Sequence, residues 1–277
     1  MEAAEKLASD NVADQFQRNG YFAPLPVIGA AAAAECRRKL EAFEAAHGKP
    51  LRAEYRQKAH LLFPWLADLV RNPAITDTVA RLLGPDLLVW SSSFFIKEAH
   101  DPAFVSWHQD STYWGLSEPA VVTAWVAFTP SNHSNGCVRV IPGTHHLDQI
   151  SHKETFGANN ILTRGQEIAV QVDESKAVEM QLKPGEMSLH HIRLFHNSEP
   201  NNSDDRRIGF AIRYIPTRIK QTASDLDSAS LVRGTDKYGH FEPEPRPASA
   251  FAPEAVAYHA EVQRRQTELR YRGVKGR

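Results

Sequence analysis

Two separate segments of the chain contain the residue types of a metal site. The first, Trp107-His108-Gln109-Asp110, offers an imidazole nitrogen and a carboxylate oxygen two residues apart. Side chains two positions apart point to the same face of an extended strand, so His108 and Asp110 can bind one metal ion. With one more histidine, this set leaves open positions on the metal. Such a site suits Fe(II) that must also bind a cosubstrate and oxygen.

The third ligand is expected from the segment Leu189 to His196, which contains several histidines. His190 and His196 share a face of a regular strand, whereas His191 points to the other face. Periodicity therefore separates these candidates only in part, because it leaves both His190 and His196 on one face.

Arg207 follows a long polar turn, Asn197 to Asp205, and opens the next predicted strand. If the two flanking strands pair in antiparallel fashion, the guanidinium of Arg207 lies near His196 and faces the same cavity. A planar fork of donors beside an open metal site suits a dicarboxylate, which the arginine binds at one end and the metal chelates at the other.

Other His-x-Asp and His-x-Glu pairs have surroundings that suit a metal less well. His146 follows the turn Pro142-Gly143 and precedes no clear strand, and His259 lies in a predicted helix, where positions two apart diverge. The segment around His108 instead lies between predicted strands and carries aromatic residues that can line a pocket. The pairs set aside are His146/Asp148, His152/Glu154, His240/Glu242 and His259/Glu261.

The composition favours a protein that acts on small molecules in a reducing compartment. The 277 residues carry a net charge of −1 without a basic run, so neither nucleic acid nor an anionic membrane surface is an expected partner. Cys36 and Cys137 lack metal-site spacing and suit neither a zinc site nor a disulfide framework. The acidic start and the lack of a long apolar run predict a cytoplasmic protein without a membrane span. No feature indicates an oligomeric state.

Helical patterns precede strand patterns along the chain. Residues 1–85 are predicted to be mainly helical, residues 86–216 to form about eight short strands, and residues 217–277 to form a lid that ends in a helix. This order predicts a single domain of the mainly β class with flanking helices, in which the N-terminal helices back a double-stranded β-helix, the cupin-like jelly roll. The predicted strands include Leu87 to Lys97, Val121 to Phe128, Ile168 to Val172, Val178 to Leu182, Met187 to His191 and Arg207 to Ile215.

Four pieces of the chain, in the same order, resemble the phytanoyl-CoA dioxygenase family of Fe(II)/2-oxoglutarate-dependent oxygenases. The resemblance extends from about the first helix to Pro216, and the combination is more specific than any one piece. The pieces are Trp107 to Asp110, Val122 to Ala127, Asn135 to His145, and His196 to Asn201 followed by Arg207.

The resemblance implies a jelly-roll oxygenase whose cofactors are Fe(II), 2-oxoglutarate and O2. The residues that it implies as metal ligands are His108, Asp110 and His196. The residues that it implies for 2-oxoglutarate are Arg207, which would bind the far carboxylate, and Trp125, Ser198 and Gln109, which would line the pocket.

Asp110 also bears on the type of reaction. Related halogenases resemble this sequence but have a small residue in place of the carboxylate ligand, which leaves a coordination position for halide. Because Asp110 occupies that position, the resemblance implies hydroxylation or another oxidation, with release of succinate and CO2. Two alternatives remain open on the sequence alone: a zinc-dependent hydrolase with the same ligands, and a non-catalytic jelly roll that binds a ligand.

The substrate is expected to be a small polar or anionic molecule, such as an amino acid, a phosphonate or a natural-product intermediate. Several cations lie in or near the segments that are predicted to border the cavity. The candidate substrate contacts are Ser93, Lys97, Tyr113, Trp114, Arg193, Arg213 and Arg233.

Overall fold

The computed structural model describes residues 2–110, 114–154, 159–162 and 166–270. Helices occur mainly before residue 84 and at the C-terminal end, and strands occupy most of the chain between them. The α-helices are α1 (Glu2–Asn19), α2 (Ala30–Ala46), α3 (Ala53–Arg56), α4 (Pro64–Leu69), α5 (Pro73–Leu83) and α6 (Pro253–Arg270).

The strands are mostly short, and two of them are long. The strands are β1 (Tyr21–Pro26), β2 (Leu87–Lys97), β3 (Val105–His108), β4 (Val122–Ala127), β5 (Val138–Val140), β6 (His152–Glu154), β7 (Gln166–Ile168), β8 (Val178–Glu179), β9 (Glu186–His191), β10 (His196–Ser198), β11 (Arg207–Pro216), β12 (Ser228–Arg233) and β13 (Glu242–Pro243). The predicted mainly β class with flanking helices is confirmed.

The chain divides into two compact units that alternate along the sequence. The first unit comprises Met1–Pro50, Phe94–Thr112 and Val122–Ala211, and the second comprises Leu51–Ser93, Tyr113–Val121 and Ile212–Arg277. Strands β2 and β11 each contribute residues to both units. The single domain expected from the sequence stays a prediction.

The first unit contains two antiparallel sheets that hold the metal-site segments. In the larger sheet, β1, β9, β4 and β11 are neighbours in that order. Every residue of β4 is buried, and Trp125 on this strand packs with Ala127, Leu182 and Ala211 in one apolar cluster. A strand that is buried on both faces has a nearly continuous apolar sequence. This is why the sequence from Val121 to Phe128 predicts a strand.

The smaller sheet of the first unit has the strand order β3, β10, β5, β8. His196 on β10 lies opposite His108 on β3, and it lies opposite Val140 on β5 on its other side. The antiparallel pairing that was considered as one way to place Arg207 near His196 does not occur, since the two strands belong to different sheets. The reason is that β10 ends at Ser198, and the polar turn after it carries the chain across to the other sheet.

Helix α2 is tied to the turn that precedes β11 within the same unit. Arg37 forms two 2.7 Å bonds to the carboxylate of Asp205, and Arg206 donates to Glu44 at 2.6 Å. A forked arginine–carboxylate pair fixes direction as well as distance. These contacts hold the start of β11, and with it Arg207, against a helix.

The second unit contains α3 to α5, α6 and the strand pair β12 and β13. Strand β12 pairs with the first part of β2, with Ser230 opposite Val89. Helix α6 is held by His259, whose Nε2 lies 2.7 Å from the carbonyl oxygen of Gln57. Tyr214 is fully buried here and donates to the carbonyl of Val70 at 2.9 Å.

Three strand predictions differ from the structure. The extended strand that was to carry both His108 and Asp110 ends at His108. The segments predicted as strands at 168–172 and 178–182 form strands only at Gln166–Ile168 and Val178–Glu179. In the segments 168–172 and 178–182 the apolar alternation continues past the last residue of the strand, so the pattern alone does not set where each strand ends. Among the described residues, no helix is long and apolar enough to span a membrane.

Candidate metal centre

His108, Asp110 and His196 converge in the first unit. Each residue offers one ligand atom, and these atoms all lie within 4.8 Å of one another. His108 Nε2 lies 3.4 Å from Asp110 Oδ1, and the two imidazole centroids are 4.0 Å apart. Among the described residues, this is the one such group of at least three histidine, cysteine or acidic side chains.

Neither imidazole is free to rotate, because each Nδ1 is held by a backbone carbonyl. His108 Nδ1 lies 2.9 Å from the carbonyl oxygen of Ser106, and His196 Nδ1 lies 2.9 Å from that of Leu194. A carbonyl oxygen can only accept, so both rings carry hydrogen on Nδ1 and present the lone pair of Nε2. Fixing the second ring nitrogen in this way orients a histidine for a metal.

Burial keeps His196 in the form that binds a metal. The pKa of His196 lies well below its ordinary value, mainly because the ring is buried and secondly because His108 is near. A neutral imidazole has a lone pair to give, whereas a protonated one does not. Asp110 reaches the site although it lies beyond the end of β3, because its backbone N–H donates to the carbonyl of Ile192 at 2.9 Å.

The structure separates the histidines that the sequence left as alternatives. His196 belongs to the converging group, while the ring of His190 packs beside it at 4.8 Å. His191 points the other way, as expected, and lies 6.3 Å from the ring of Phe16 on α1. Burial lowers the pKa of His191 to about 4.

Arg207 is a fully buried cation at the start of β11. Its Nη1 donates to the carbonyl of Gly136, and its Cζ lies 5.4 Å from the ring centroid of Trp125. Its Nε has no hydrogen-bond partner among the described residues. Burial lowers the pKa of Arg207 to about 10, which still leaves the group charged near neutral pH. A buried guanidinium with donor capacity to spare is suited to an anionic ligand.

Lys97, predicted from sequence as a substrate contact, is a second buried basic residue in this unit. Its Nζ donates to Ser198 Oγ at 2.8 Å and also to the carbonyls of Ser198 and Glu199. Burial, and then the charge of Arg207, lower the pKa of Lys97 to about 6. Lys97 therefore fixes the hydroxyl of Ser198 and lies within the electrostatic field of Arg207.

Sequence reasoning missed Gly209, which lies two residues beyond Arg207 on β11. A Cβ built at Gly209 would lie 1.8 Å from Cζ2 of Trp125, so the indole occupies the space that a side chain would need. A glycine in a strand interior often marks such a close approach, and this was the available signal. Gly136 was missed for a related reason: its φ of +69° and its closeness to the carbonyl of Glu199 exclude a side chain.

Gln109 lies between the two ligands His108 and Asp110 and is buried. Its side-chain amide is hydrogen-bonded to protein groups, including the backbone N–H of Ile150 at 2.8 Å and the carbonyl of Arg193 at 2.9 Å. Arg193 itself is half-buried, and its Nη1 lies 3.3 Å from a carboxylate oxygen of Asp148.

Four of the other predicted substrate contacts, Ser93, Trp114, Arg213 and Arg233, lie in the second unit. Arg213 donates to Ser93 Oγ at 2.7 Å, and its Cζ lies 5.7 Å from the ring centroid of Trp114. Arg233 instead pairs with Asp77 at 3.0 Å at a partly exposed position. Tyr113 lies outside the described residues.

The sequence matches a known family over most of its length. The family model described as Phytanoyl-CoA dioxygenase (PhyH) matches residues 16–209. A probable alpha-ketoglutarate-dependent hypophosphite dioxygenase of Stutzerimonas stutzeri is 27% identical over 203 residues, which are 72% of this chain and 67% of that protein. Matches with other curated relatives cover between 29% and 62% of their lengths.

Solved structures show the same fold. A non-heme monooxygenase, ThoJ in its apo form, has a TM-score of 0.82 and 38% identity, covering 93% of this chain and 97% of that one. CytC3 with Fe(II) and alpha-ketoglutarate has a TM-score of 0.61 and 28% identity, covering 83% and 90% of the two chains. These similarities confirm the predicted jelly-roll core.

Proposed function

Because the chain belongs to the phytanoyl-CoA dioxygenase family of Fe(II)- and 2-oxoglutarate-dependent oxygenases, we propose that it hydroxylates an unactivated C–H bond of a small polar or anionic molecule. Its cofactors are Fe(II), 2-oxoglutarate and O2. The observation that carries the proposal is the convergence of two imidazoles and one carboxylate within 4.8 Å. These findings favour an oxygenase over a zinc hydrolase and over a non-catalytic binding protein.

The residues fit Fe(II). His108 and His196 would bind it through Nε2, since their Nδ1 atoms are held by carbonyls, and Asp110 would supply a carboxylate oxygen. Two imidazoles and one carboxylate leave positions for a chelating cosubstrate and for oxygen. With 2-oxoglutarate bound, the metal supplies the activation of O2: one oxygen atom enters the substrate as a hydroxyl, and the other enters succinate as CO2 is released.

Arg207 is proposed to bind the far carboxylate of 2-oxoglutarate. The guanidinium is buried beside Trp125, and a buried charge is stable only when an opposite charge or hydrogen bonds compensate it. Ser198 is proposed to donate its hydroxyl hydrogen to the same carboxylate, because Lys97 already donates to Ser198 Oγ. Trp125 closes one side of the pocket and excludes water from it.

Asp110 supports hydroxylation rather than halogenation. Its carboxylate lies 3.4 Å from His108 Nε2, within the group of converging ligand atoms. A carboxylate bound there would occupy the position that a halide needs. We therefore propose that oxygen, and not chloride, is transferred to the substrate.

The substrate is proposed to carry an anionic or strongly polar group. A hypophosphite dioxygenase is among the relatives, and hypophosphite is a small anion. Arg213, Ser93 and Trp114 form a hydrogen-bonded and aromatic cluster in the second unit, and we propose them as substrate contacts. A guanidinium that lies over an indole suits a carboxylate or phosphorus oxyanion.

The test is the formation of succinate by the purified chain with Fe(II), 2-oxoglutarate and O2, first without substrate. We expect slow, uncoupled succinate formation that requires added Fe(II) and falls to background in His108→Ala and in Arg207→Ala. A screen of amino acids, phosphonates and small organic acids should then identify compounds that accelerate succinate formation and gain one oxygen atom by mass spectrometry.

The matched controls are His133→Ala and Arg38→Ala, which change exposed residues of the same unit. Both are expected to form succinate at the wild-type rate. Succinate formation at the wild-type rate in His108→Ala or in Arg207→Ala would contradict the proposal.

A further inference from the structure

Gln109 has all of its side-chain hydrogen-bonding capacity committed to the protein. The residue is only 2% exposed. Its Oε1 accepts from the backbone N–H of Ile150 at 2.8 Å and from Nε2 of Gln149 at 3.1 Å. Its Nε2 donates to the carbonyl of Arg193 at 2.9 Å and, at the longer distance of 3.4 Å, to that of Asp148.

A primary amide offers two donor hydrogens and two acceptor lone pairs, and these four contacts use all of them. A direct hydrogen bond from Gln109 to 2-oxoglutarate would have to break one of the buried bonds. Leaving a buried backbone group without its partner is costly, so the four contacts favour a role within the protein.

The partners of Gln109 belong to two further segments, one of which leads to the third ligand. Ile150 and Asp148 lie in the connection before β6, while Arg193 lies in the connection from β9 to β10, three residues before His196. One side chain between His108 and Asp110 is therefore bonded to the segment that delivers His196.

Backbone contacts of the same residues strengthen this junction. The N–H of Gln109 donates to Nε2 of His152 at 3.0 Å, and Nδ1 of His152 lies 2.8 Å from the carbonyl of Ile150. The next residue, Asp110, donates its N–H to the carbonyl of Ile192 at 2.9 Å. The ligand pair is thus bonded to both connections through backbone as well as side-chain groups.

We propose that Gln109 is a positioning residue that holds the segment of His108 and Asp110 against the segment of His196, and so sets the geometry in which Fe(II) binds. The inference rests on the proposed metal site. Its physical basis is that pairing of β3 with β10 sets His108 opposite His196, whereas Asp110 lies beyond the end of β3. The Gln109 amide, bonded to the carbonyl of Arg193, holds the residues that follow His108 against the segment that precedes His196.

The test is metal binding by the apoprotein in the absence of 2-oxoglutarate, with Co(II) as a spectroscopic probe. Gln109→Glu keeps the side-chain length and an acceptor for Ile150 but places an oxygen against the carbonyls of Arg193 and Asp148. Loss of a residue that orients metal ligands typically weakens metal binding roughly 10–100-fold. We expect a loss of this size in the Co(II) titration, with an altered visible absorption spectrum.

Hydrogen exchange gives a second readout that does not depend on metal. The N–H of Ile150 should lose protection in Gln109→Ala, which lacks the acceptor, and retain it in Gln109→Glu. Thermal unfolding of both apoproteins checks that they fold. If Gln109→Ala does not fold, the Co(II) titration of Gln109→Glu still tests whether Gln109 positions the metal ligands.

The matched control is Gln181→Glu, an exposed glutamine of the same unit, which should bind Co(II) as the wild type does. Unchanged Co(II) affinity in Gln109→Glu would overturn the inference, and weakened 2-oxoglutarate binding alone would place Gln109 in the cosubstrate pocket. If the wild type and His108→Ala bind Co(II) equally well, the proposed metal site itself fails, and the inference fails with it.

Discussion

At the scale of single residues, the proposed cosubstrate pocket is built around the buried charge of Arg207. Arg207 is buried, its Nη1 donates to the carbonyl of Gly136, and its Nε has no partner among the described residues. Lys97 is also buried and donates to Ser198 and Glu199. Arg207 stays charged near neutral pH, whereas the lowered pKa of Lys97 leaves that amine mostly neutral there, so the buried guanidinium supplies the positive charge that favours an anion.

Replacing Arg207 by lysine is expected to raise the KM for 2-oxoglutarate by roughly 10–100-fold, because an ammonium keeps the charge but loses the planar pair of donors. This rise in KM corresponds to a loss of about 1.5–3 kcal/mol of binding free energy from charge-assisted hydrogen bonds. Succinate formation at varied 2-oxoglutarate concentration measures it. The exposed Arg38→Lys should leave this KM unchanged, and an unchanged KM in Arg207→Lys would mean that the guanidinium does not bind the carboxylate.

At the scale of elements, the approach of β4 to β11 depends on the absence of a side chain at Gly209. The indole of Trp125 on β4 lies where a Cβ of residue 209 would be, and it also lies beside Arg207 on the same face of β11. Residues two apart on a strand share a face, so one indole can cover a glycine and contact an arginine. The glycine thereby sets the shape of the pocket wall.

Gly209→Ala is expected to destabilise the protein by about 1–3 kcal/mol, the usual cost of overpacking a filled core, and to raise the KM for 2-oxoglutarate as Trp125 is displaced. Urea unfolding and the succinate assay measure the two effects.

The control for this substitution is Gly29→Ala, since a Cβ at Gly29 would meet no atom within 4 Å. We expect that variant to retain wild-type stability and KM. If Gly209→Ala and Gly29→Ala had the same stability and the same KM, Trp125 could move without a loss of stability or of 2-oxoglutarate binding.

At the scale of the whole molecule, buried charged side chains join distant parts of the chain within the second unit. Lys58 and Glu244 are both fully buried and in direct contact, and His60 Nε2 lies 3.0 Å from the other carboxylate oxygen of Glu244. Ser230 also donates to Glu244 at 2.7 Å. Burial opposes ionisation of Glu244, but Lys58 and His60 outweigh it and hold the pKa of the carboxyl below its ordinary value.

Glu244→Gln is expected to destabilise the protein by about 3–5 kcal/mol near neutral pH, because it leaves the charge of Lys58 buried without its partner. A carboxyl whose folded pKa lies below its unfolded pKa stabilises the protein above the unfolded value, and this stabilisation is lost as the pH falls towards the folded value. The free energies of unfolding of Glu244→Gln and of the wild type should therefore become more alike below about pH 4. Urea unfolding at several pH values would measure this.

Glu242→Gln is the control, because Glu242 lies two residues away and pairs with Arg265 at 2.7 Å in a partly exposed position. Loss of this ion pair should lower the free energy of unfolding by less than about 1 kcal/mol. A double variant, Lys58→Met with Glu244→Leu, should recover much of the stability lost in Glu244→Gln. If Glu242→Gln and Glu244→Gln lowered the free energy of unfolding equally, the buried pair of Lys58 and Glu244 would not be the dominant contribution.

The sequence by itself determined the family, the mainly β class with its early helices, and the pairing of His108 with Asp110 as candidates. These are local properties: apolar runs, turn residues and a two-residue spacing can be recognised without knowing what lies across the fold. The order of the four family-like pieces added the expectation of Fe(II) and 2-oxoglutarate.

Periodicity left both His190 and His196 as candidates to join His108 and Asp110, and the resemblance implied His196. The tertiary structure brings His196 into the group, because it lies opposite His108 in the smaller sheet. Only the tertiary structure showed that β10 and β11 belong to different sheets, that Trp125 fills the space above Gly209, and that the side-chain amide of Gln109 is bonded to two distant segments. Strand pairing and close packing join residues far apart in the chain, and no local pattern encodes them.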